Sequence, residues 1–304
     1  MDMRKLLCFG SLNIDYTYTV PHFVTPGETL PAEGMQVFSG GKGLNQSVAL
    51  ARAGLDVSLA GAIGEDGRFL LEQLRAAGVD TRHVSVLSQV RTGHAIIQND
   101  PSGDNCILVY GGANHCTTRE QADRALADFS PGDMLVVQNE INDLDYILRA
   151  ADAAGLAIAM TPAPMTDAVR RLPLDCVDYL FLNEIEGGQL LNGEIDPEEE
   201  PIRAARELRR RYGPGAVILT LGEQGAVYAD GREECRQAAI PAQAVDTTGA
   251  GDTFMGYFLA GCFEEMSVRE AMVYASQAAA IAITRHGASP AIPTRDEVRA
   301  AMAQ

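Results

Sequence analysis

Asp246, Thr247, Thr248, Gly249, Ala250, Gly251 and Asp252 form a glycine-rich loop that runs straight into Thr253, Phe254 and Met255. Phe258, Leu259 and Cys262 follow at helical spacing, so the loop opens an amphipathic helix. Gly249 and Gly251 permit positive φ and close backbone approach. The free N–H groups of a helix start, with the dipole behind them, make a cavity suited to an anion. Asp252 puts a carboxylate in that same place. Such an Asp either caps the helix or accepts a proton from a substrate hydroxyl. In the second reading the amides of Gly249, Ala250 and Gly251 hold a phosphoryl group as charge builds on its oxygens. Phosphoryl transfer needs that base and that cradle side by side.

Other polar residues stand just past apolar runs. Asn13 and Asp15 lie in Ser11, Leu12, Asn13, Ile14, Asp15, after the first run. A carboxylate there suits two vicinal hydroxyls of a polyol, or closes an Asx-type turn. Gly40, Gly41, Lys42 and Gly43 precede Asn45, but no G-K-[ST] follows at the spacing of a Walker A loop. Glu140 follows Val137, Gln138 and Asn139, where open α/β sheets place ligands; otherwise it is a surface carboxylate at a helix start. Asn183 and Glu186 share one helix face, which also fits a plain solvated helix start. Gly222 and Gly225, after Thr220, suit a turn between two strands.

These groups need elements to hold them. Helical periods are predicted over 44–53, stopped at Gly54, and over 68–77, stopped at Gly78. Short β-rich runs predict strands over 57–62, 134–138, 157–161, 179–182 and 216–220. The alternation argues for an α/β fold with a parallel sheet covered on both faces. Two pairs of strand candidates, 16–20 with 35–38 and 93–99 with 105–110, break the pattern. Together they suggest a small antiparallel sheet projecting from the main body, whose apolar face covers a pocket or meets another subunit.

Bulk properties narrow the function further. The 304 residues are 46% hydrophobic, enough for a sizeable core. No apolar run is long enough to span a bilayer, and the N-terminal run ends at Gly10, too early for a signal-peptide core. The net charge of −17 disfavours nucleic acid, and Arg209, Arg210 and Arg211 read as a solvated helix face. Glu198, Glu199 and Glu200 read as a solvated loop. Six scattered cysteines show no metal-ligand spacing and are taken as buried thiols, which points to a reducing, cytoplasmic location.

The sequence D-T-T-G-A-G-D-T-F over 246–254 resembles the C-terminal signature of the ribokinase-like (PfkB) family of sugar kinases. G-G-K-G-x-N over 40–45 resembles that family's N-terminal sugar-binding segment, and the likeness extends over 6–296. It implies a ribokinase-like fold: a mostly parallel central sheet flanked by helices, with a small β-sheet lid. The whole of 1–304 then forms one kinase domain, with the lid built from 15–39 and 93–111. The implied activity is ATP-dependent phosphorylation of a primary hydroxyl on a small sugar, with Asp252 as base. Asn13, Asp15, Gly41, Lys42, Asn45 and Glu140 take the sugar side. Asn183, Thr220, Gly222, Gly225, Gly251 and Ser276 take the nucleotide side. Glu186 holds Mg²⁺ through water, as suits an ion that keeps its waters. Asp246, Thr248, Ala282, Arg285 and Gly287 make a monovalent-cation site, with K⁺ expected. His286 is read as a plain loop residue. Thr161, Ser276, Ala291 and Tyr257 depart from the residues usual in the family. The sugar-side set is intact, so D-ribose is the first expectation. The alternatives are a nucleoside or another sugar such as fructose, and then a non-catalytic sugar-binding protein. The resemblance also implies a homodimer paired through the lid.

Overall fold

Leu6 and Cys8 of the first apolar run face one core, while Leu7 and Phe9 face another. A strand that is apolar on both faces requires cover on both sides, and this split sets the architecture. The computed structural model describes residues 4–303, so the domain expected over 1–304 extends at both ends past the described residues. The strands are β1 (Leu6–Phe9), β2 (Asn13–Thr19), β3 (Gly34–Gly40), β4 (Val57–Gly64), β5 (Asp80–Leu87), β6 (Gly93–Asn99), β7 (Asn105–Tyr110), β8 (Met134–Gln138), β9 (Ala157–Thr161), β10 (Tyr179–Asn183), β11 (Ala216–Thr220), β12 (Ala226–Ala229) and β13 (Glu234–Gln237). The α-helices are α1 (Lys42–Arg52), α2 (Arg68–Ala76), α3 (Arg119–Leu126), α4 (Leu144–Ala153), α5 (Glu184–Leu190), α6 (Pro201–Tyr212), α7 (Ala250–Phe263), α8 (Val268–Ala282) and α9 (Arg295–Met302).

The main sheet runs in the order β13-β12-β11-β10-β9-β8-β1-β4-β5. From β5 to β11 all neighbours are parallel, and β12 and β13 add an antiparallel edge. Residues of α1, α2, α7 and α8 share one core with Leu6, Cys8, Val136, Phe181 and Ile218. Residues of α3, α4, α5 and α6 share the other with Leu7, Phe9, Val137, Leu182 and Leu219. Gln138 pairs with Thr161 and Asn183 with Thr220, so the expected site residues gather at the carboxyl ends of parallel strands.

The second sheet has the order β3-β2-β6-β7. Its two hairpins are antiparallel, but β2 pairs with β6 in parallel. The expected antiparallel sheet is therefore a mixed one. The reason lies in the main sheet: β1 and β5 run the same way there, and each passes directly into a strand of the small sheet. The helix predicted from residue 44 also begins earlier, at Lys42, because Gly41 at φ 92° turns the chain straight into it.

Arg210 and Arg211 are paired to Glu207, and Arg211 also to Glu194, as befits a solvated helix face. Glu198, Glu199 and Glu200 are exposed. All six cysteines are free, but only Cys8 and Cys235 are buried and Cys106 is exposed. Cys106 lies on β7, whose residues are all exposed, so the expectation of buried thiols fails there.

Candidate active site

Gly249, at φ 76°, is the N-cap of α7, so backbone geometry and not the Asp252 side chain closes the helix start. Asp252 sits three residues on, 8% exposed. Its carboxylate accepts hydrogen bonds from Asn45 Nδ2 at 3.3 Å and from Gln46 Nε2 at 2.9 Å. Both donors come from the first turns of α1. One turn further along each helix, Gly256 meets Ala49: a Cβ at Gly256 would lie 2.6 Å from that of Ala49. The absent side chain lets the helices approach closely, and that approach brings Asn45 and Gln46 to Asp252. At Gly251 an added Cβ would meet nothing within 4 Å, so this position faces open space.

That space is a cavity of about 730 Å³. Gly249, Ala250, Gly251, Asp252 and Lys42 line it, and so do Asn183, Glu186, Thr220, Gly222, Gly225 and Ser276. Ile240, Ala279, Ala280 and Ile283 supply an apolar part. The turn from Gly222 (φ 51°) to Gly225 (φ 94°) joins antiparallel β11 and β12 as well as lining the cavity, so both readings of it hold. Asn183 and Glu186 form a reciprocal capping box on α5: Asn183 Oδ1 accepts from Glu186 N at 2.7 Å, and Glu186 Oε2 from Asn183 N at 3.0 Å. Burial pushes the Glu186 carboxyl up, against the opposing pull of the Asn183 N–H and Lys42. Burial pulls Lys42 down, but the carboxylates of Asp252, Glu140 and Glu186 outweigh it and hold the ammonium above its usual value.

Asn13, Asp15, Gly41, Asn45 and Glu140 do not line this cavity. They form a neighbouring cluster joined to it through Lys42 and Asn45. Glu140 accepts from Lys42 N at 3.1 Å and from the Ser11 hydroxyl. Asn13 Oδ1 accepts from Asn114 Nδ2 at 2.7 Å, and Asn114 Oδ1 from Leu12 N at 3.0 Å. Asn45 Oδ1 is buried without a hydrogen-bond partner among the described residues. Burial, and then the charge of Glu140, push the Asp15 carboxyl up to about 6. Gly40 makes room for it, since a Cβ there would fall on the carboxylate.

The segments expected to hold a monovalent cation are tied together. Asp246 accepts from Thr248 N and Gly287 N, both at 2.9 Å, and Ile283 O accepts from Val245 N and Asp246 N. Burial opposes ionisation of Asp246, but these hydrogen bonds and His286 hold its carboxyl below the usual range. Ala282 O is taken by Arg285 N at 3.0 Å, and the Arg285 guanidinium pairs with Glu297. Among the described residues, no backbone N–H is recorded on the carbonyls of Thr248, Arg285 and Gly287. His286 is an exposed loop residue. Of the departures, Thr161 accepts from Gln46 Nε2 at 3.2 Å and the Tyr257 hydroxyl donates to Pro293 O at 2.7 Å. Ala291 is buried.

Three residues beside the site were not singled out in the sequence: Gln46, Gln138 and Asn114. A polar signal was present for Gln138, an amide closing an otherwise apolar strand and fully buried in the structure.

The model of the family described as pfkB family carbohydrate kinase matches residues 3–295. A ribokinase of Haemophilus influenzae is 35% identical over 300 residues, covering 97% of each chain. The structure of Arabidopsis thaliana ribokinase complexed with ribose and ATP is 30% identical, with a TM-score of 0.87 and 98% of each chain covered. That of Cryptococcus neoformans ribokinase in complex with ADP is 35% identical, with a TM-score of 0.85, covering 98% of this chain and 99% of the other.

Proposed function

Because the chain belongs to the pfkB family of carbohydrate kinases, we propose that it transfers the γ-phosphoryl group of ATP to the primary hydroxyl of D-ribose, giving ADP and D-ribose 5-phosphate. The observation that carries this reading is the placement of Asp252. Its buried carboxylate stands beside helix-start amides that open on a cavity, with the hydroxyl-binding cluster next to it.

Asp252 accepts the proton of the hydroxyl as its oxygen attacks the γ-phosphorus. The bond from phosphorus to the ADP oxygen breaks, ADP leaves, and the proton passes from Asp252 to solvent. The amides of Gly249, Ala250 and Gly251 meet charge on the transferring oxygens. Lys42, kept charged by its carboxylate neighbours, offsets the phosphate charge. Asp15 and Glu140 accept from sugar hydroxyls, and Asn13, Gly41 and Asn45 fix its position. Asn183, Thr220, Gly222, Gly225 and Ser276 seat the nucleotide.

Glu186 has one carboxylate oxygen tied to Asn183 N and lines the cavity, a donor set that fits a hydrated Mg²⁺. The metal would neutralise phosphate charge. Asp246, Thr248, Arg285 and Gly287 offer a carboxylate and unclaimed carbonyls that fit K⁺; Ala282, whose carbonyl is already engaged, is the weaker member. That ion would steady the loop before α7. The strands within 15–39 and 93–111 act as a lid, one kinase domain closes over its substrates, and two copies pair through their lids. Among the described residues no helix is long and apolar enough to cross a membrane; the six free thiols favour the cytoplasm.

Replacing Asp252 by Ala is expected to lower kcat by about 10²- to 10⁴-fold, with smaller effects on sugar binding. Parental turnover in that variant would remove the assignment. A panel of ribose, 2-deoxyribose, fructose, adenosine and pseudouridine with ATP, with and without K⁺, tests the substrate. Adenosine phosphorylated far better than ribose would replace the sugar by a nucleoside. Sugar binding without ADP release would make the chain a binding protein.

A further inference from the structure

Both hydrogens of the Gln46 amide are committed. Its Nε2 lies 2.9 Å from Asp252 Oδ1 and 3.2 Å from Thr161 Oγ1. Its Oε1 accepts from Gln138 Nε2 at 2.6 Å. Gln138 is wholly buried at the end of β8, with Nε2 also 3.6 Å from Cys8 Sγ, and its Oε1 has no partner among the described residues.

The two ends of an amide are alike in shape, and their assignment rests on the network around them. Here the network leaves one solution. An ionised carboxylate only accepts, so Gln46 must turn its NH₂ toward Asp252. Its oxygen then faces Gln138, which must turn its own NH₂ toward Gln46. The orphan oxygen on Gln138 follows from that choice. A buried acceptor without a donor is destabilising; an apolar side chain at 138 would shift the orphan to Gln46 Oε1, and apolar side chains at both positions would leave none. Packing alone therefore gives no account of this pair of amides.

We propose that Gln46 is a positioning residue for Asp252, and that Gln138 locks Gln46 in its donating orientation. This rests on the reading of Asp252 as the base. With Oδ1 held by Gln46, and Asn45 more distant on Oδ2, it is Oδ2 that is presented to the substrate hydroxyl. Without Gln46 the carboxylate keeps the longer Asn45 contact, and turning on it would misplace that lone pair without weakening substrate binding, so the role shows in kcat and not in KM.

The test compares Gln138→Leu, Gln46→Leu, the double variant and Asp252→Ala in steady-state kinetics and thermal unfolding. Gln138→Leu does not touch Asp252. It is expected to lower kcat by about 3- to 10-fold, with KM for sugar and for ATP within about twofold and a thermal midpoint close to the parent's. Gln46→Leu is expected to lower kcat by about 10- to 100-fold, again with little change in KM. The double variant should match Gln46→Leu, because Gln138 acts only through Gln46. Parental kcat in the folded single variants, or losses that multiply in the double, overturns the proposal. If Gln46→Leu does not fold, Gln138→Leu decides alone by the same kcat criterion. A dead Asp252→Ala beside fully active Gln46→Leu removes only the positioning role, whereas an active Asp252→Ala removes the base itself.

Discussion

A methyl group added at Gly251 would meet no protein atom within 4 Å beyond its chain neighbours and its own helix turn, so it enters space open to a ligand. Gly251→Ala is expected to keep the parent's thermal midpoint, while kcat/KM falls by about tenfold or more as the methyl enters the space of the transferring group. An equal fall in stability would instead mark a structural glycine. Asp15 makes the opposite trade. Its folded carboxyl is pushed up to about 6, above the ordinary 3.8. Between those values the native chain holds more protons than the unfolded one, so stability falls as pH rises from about 4 to 6 and the full cost persists above 6. Asp15→Asn should therefore raise the thermal midpoint near pH 7.5 but not at about pH 4, and raise KM for the sugar by about tenfold. A midpoint unchanged at both pH values would show that burial there costs nothing. Asp252 was legible because its glycines and carboxylate are contiguous. Gln46 was not, because its partners lie 206 and 92 residues away, at Asp252 and Gln138. On a helix face it reads as one more polar side chain.

The pairing of α1 with α7 turns two distant motifs into one site. Gly256 and Ala49 stand one turn beyond Asp252 and Asn45, and the close approach depends on the missing side chain. Gly256→Ala would place its Cβ 2.6 Å from Ala49 Cβ and 3.0 Å from the Ala49 backbone. It is expected to cost about 1–3 kcal/mol in denaturant unfolding and to lower kcat as Asn45 and Gln46 move off Asp252. Adding Ala49→Gly removes the nearer clash and should restore part of both. Wild-type activity in Gly256→Ala would show that the site does not depend on this contact. Elements of this kind were readable where local patterns sufficed. The strands predicted over 134–138, 157–161 and 216–220 match β8, β9 and β11 end to end, because apolar runs there are bounded by turn residues. The sequence pattern places the start of α1 two residues late, because Gly-Lys-Gly resembles a loop until Gly41 is seen at positive φ. The parallel pairing of β2 with β6 was not readable, since it is inherited from where β1 and β5 lie in the main sheet.

On the scale of the molecule, the small sheet carries apolar residues on both of its faces. Register places Asp15, Phe38, Ala95 and Val109 on one face and Tyr16, Val37, Ile96 and Leu108 on the other. The first face carries Asp15, and in the proposed reading it closes over the sugar cluster. The second ends in Leu108, 68% exposed, on β7, the edge strand of this sheet among the described residues. An apolar face of that kind calls for a partner, and a second copy pairing through the lid, as proposed above, would bring a matching face. Each chain carries a net charge of −17, so two copies repel at long range. The proposed pairing is then expected to rest on apolar contact and to tighten as added salt screens the repulsion. Leu108→Glu places one more negative charge on that exposed face of each copy. Sedimentation is expected to show a dimer for the parent and a monomer for Leu108→Glu at the same concentration. The variant should fold normally and show a raised KM for the sugar, because an unpaired lid closes less firmly over Asp15. A parent that sediments as a monomer at every salt concentration, with its full affinity for sugar, would leave the lid to work alone.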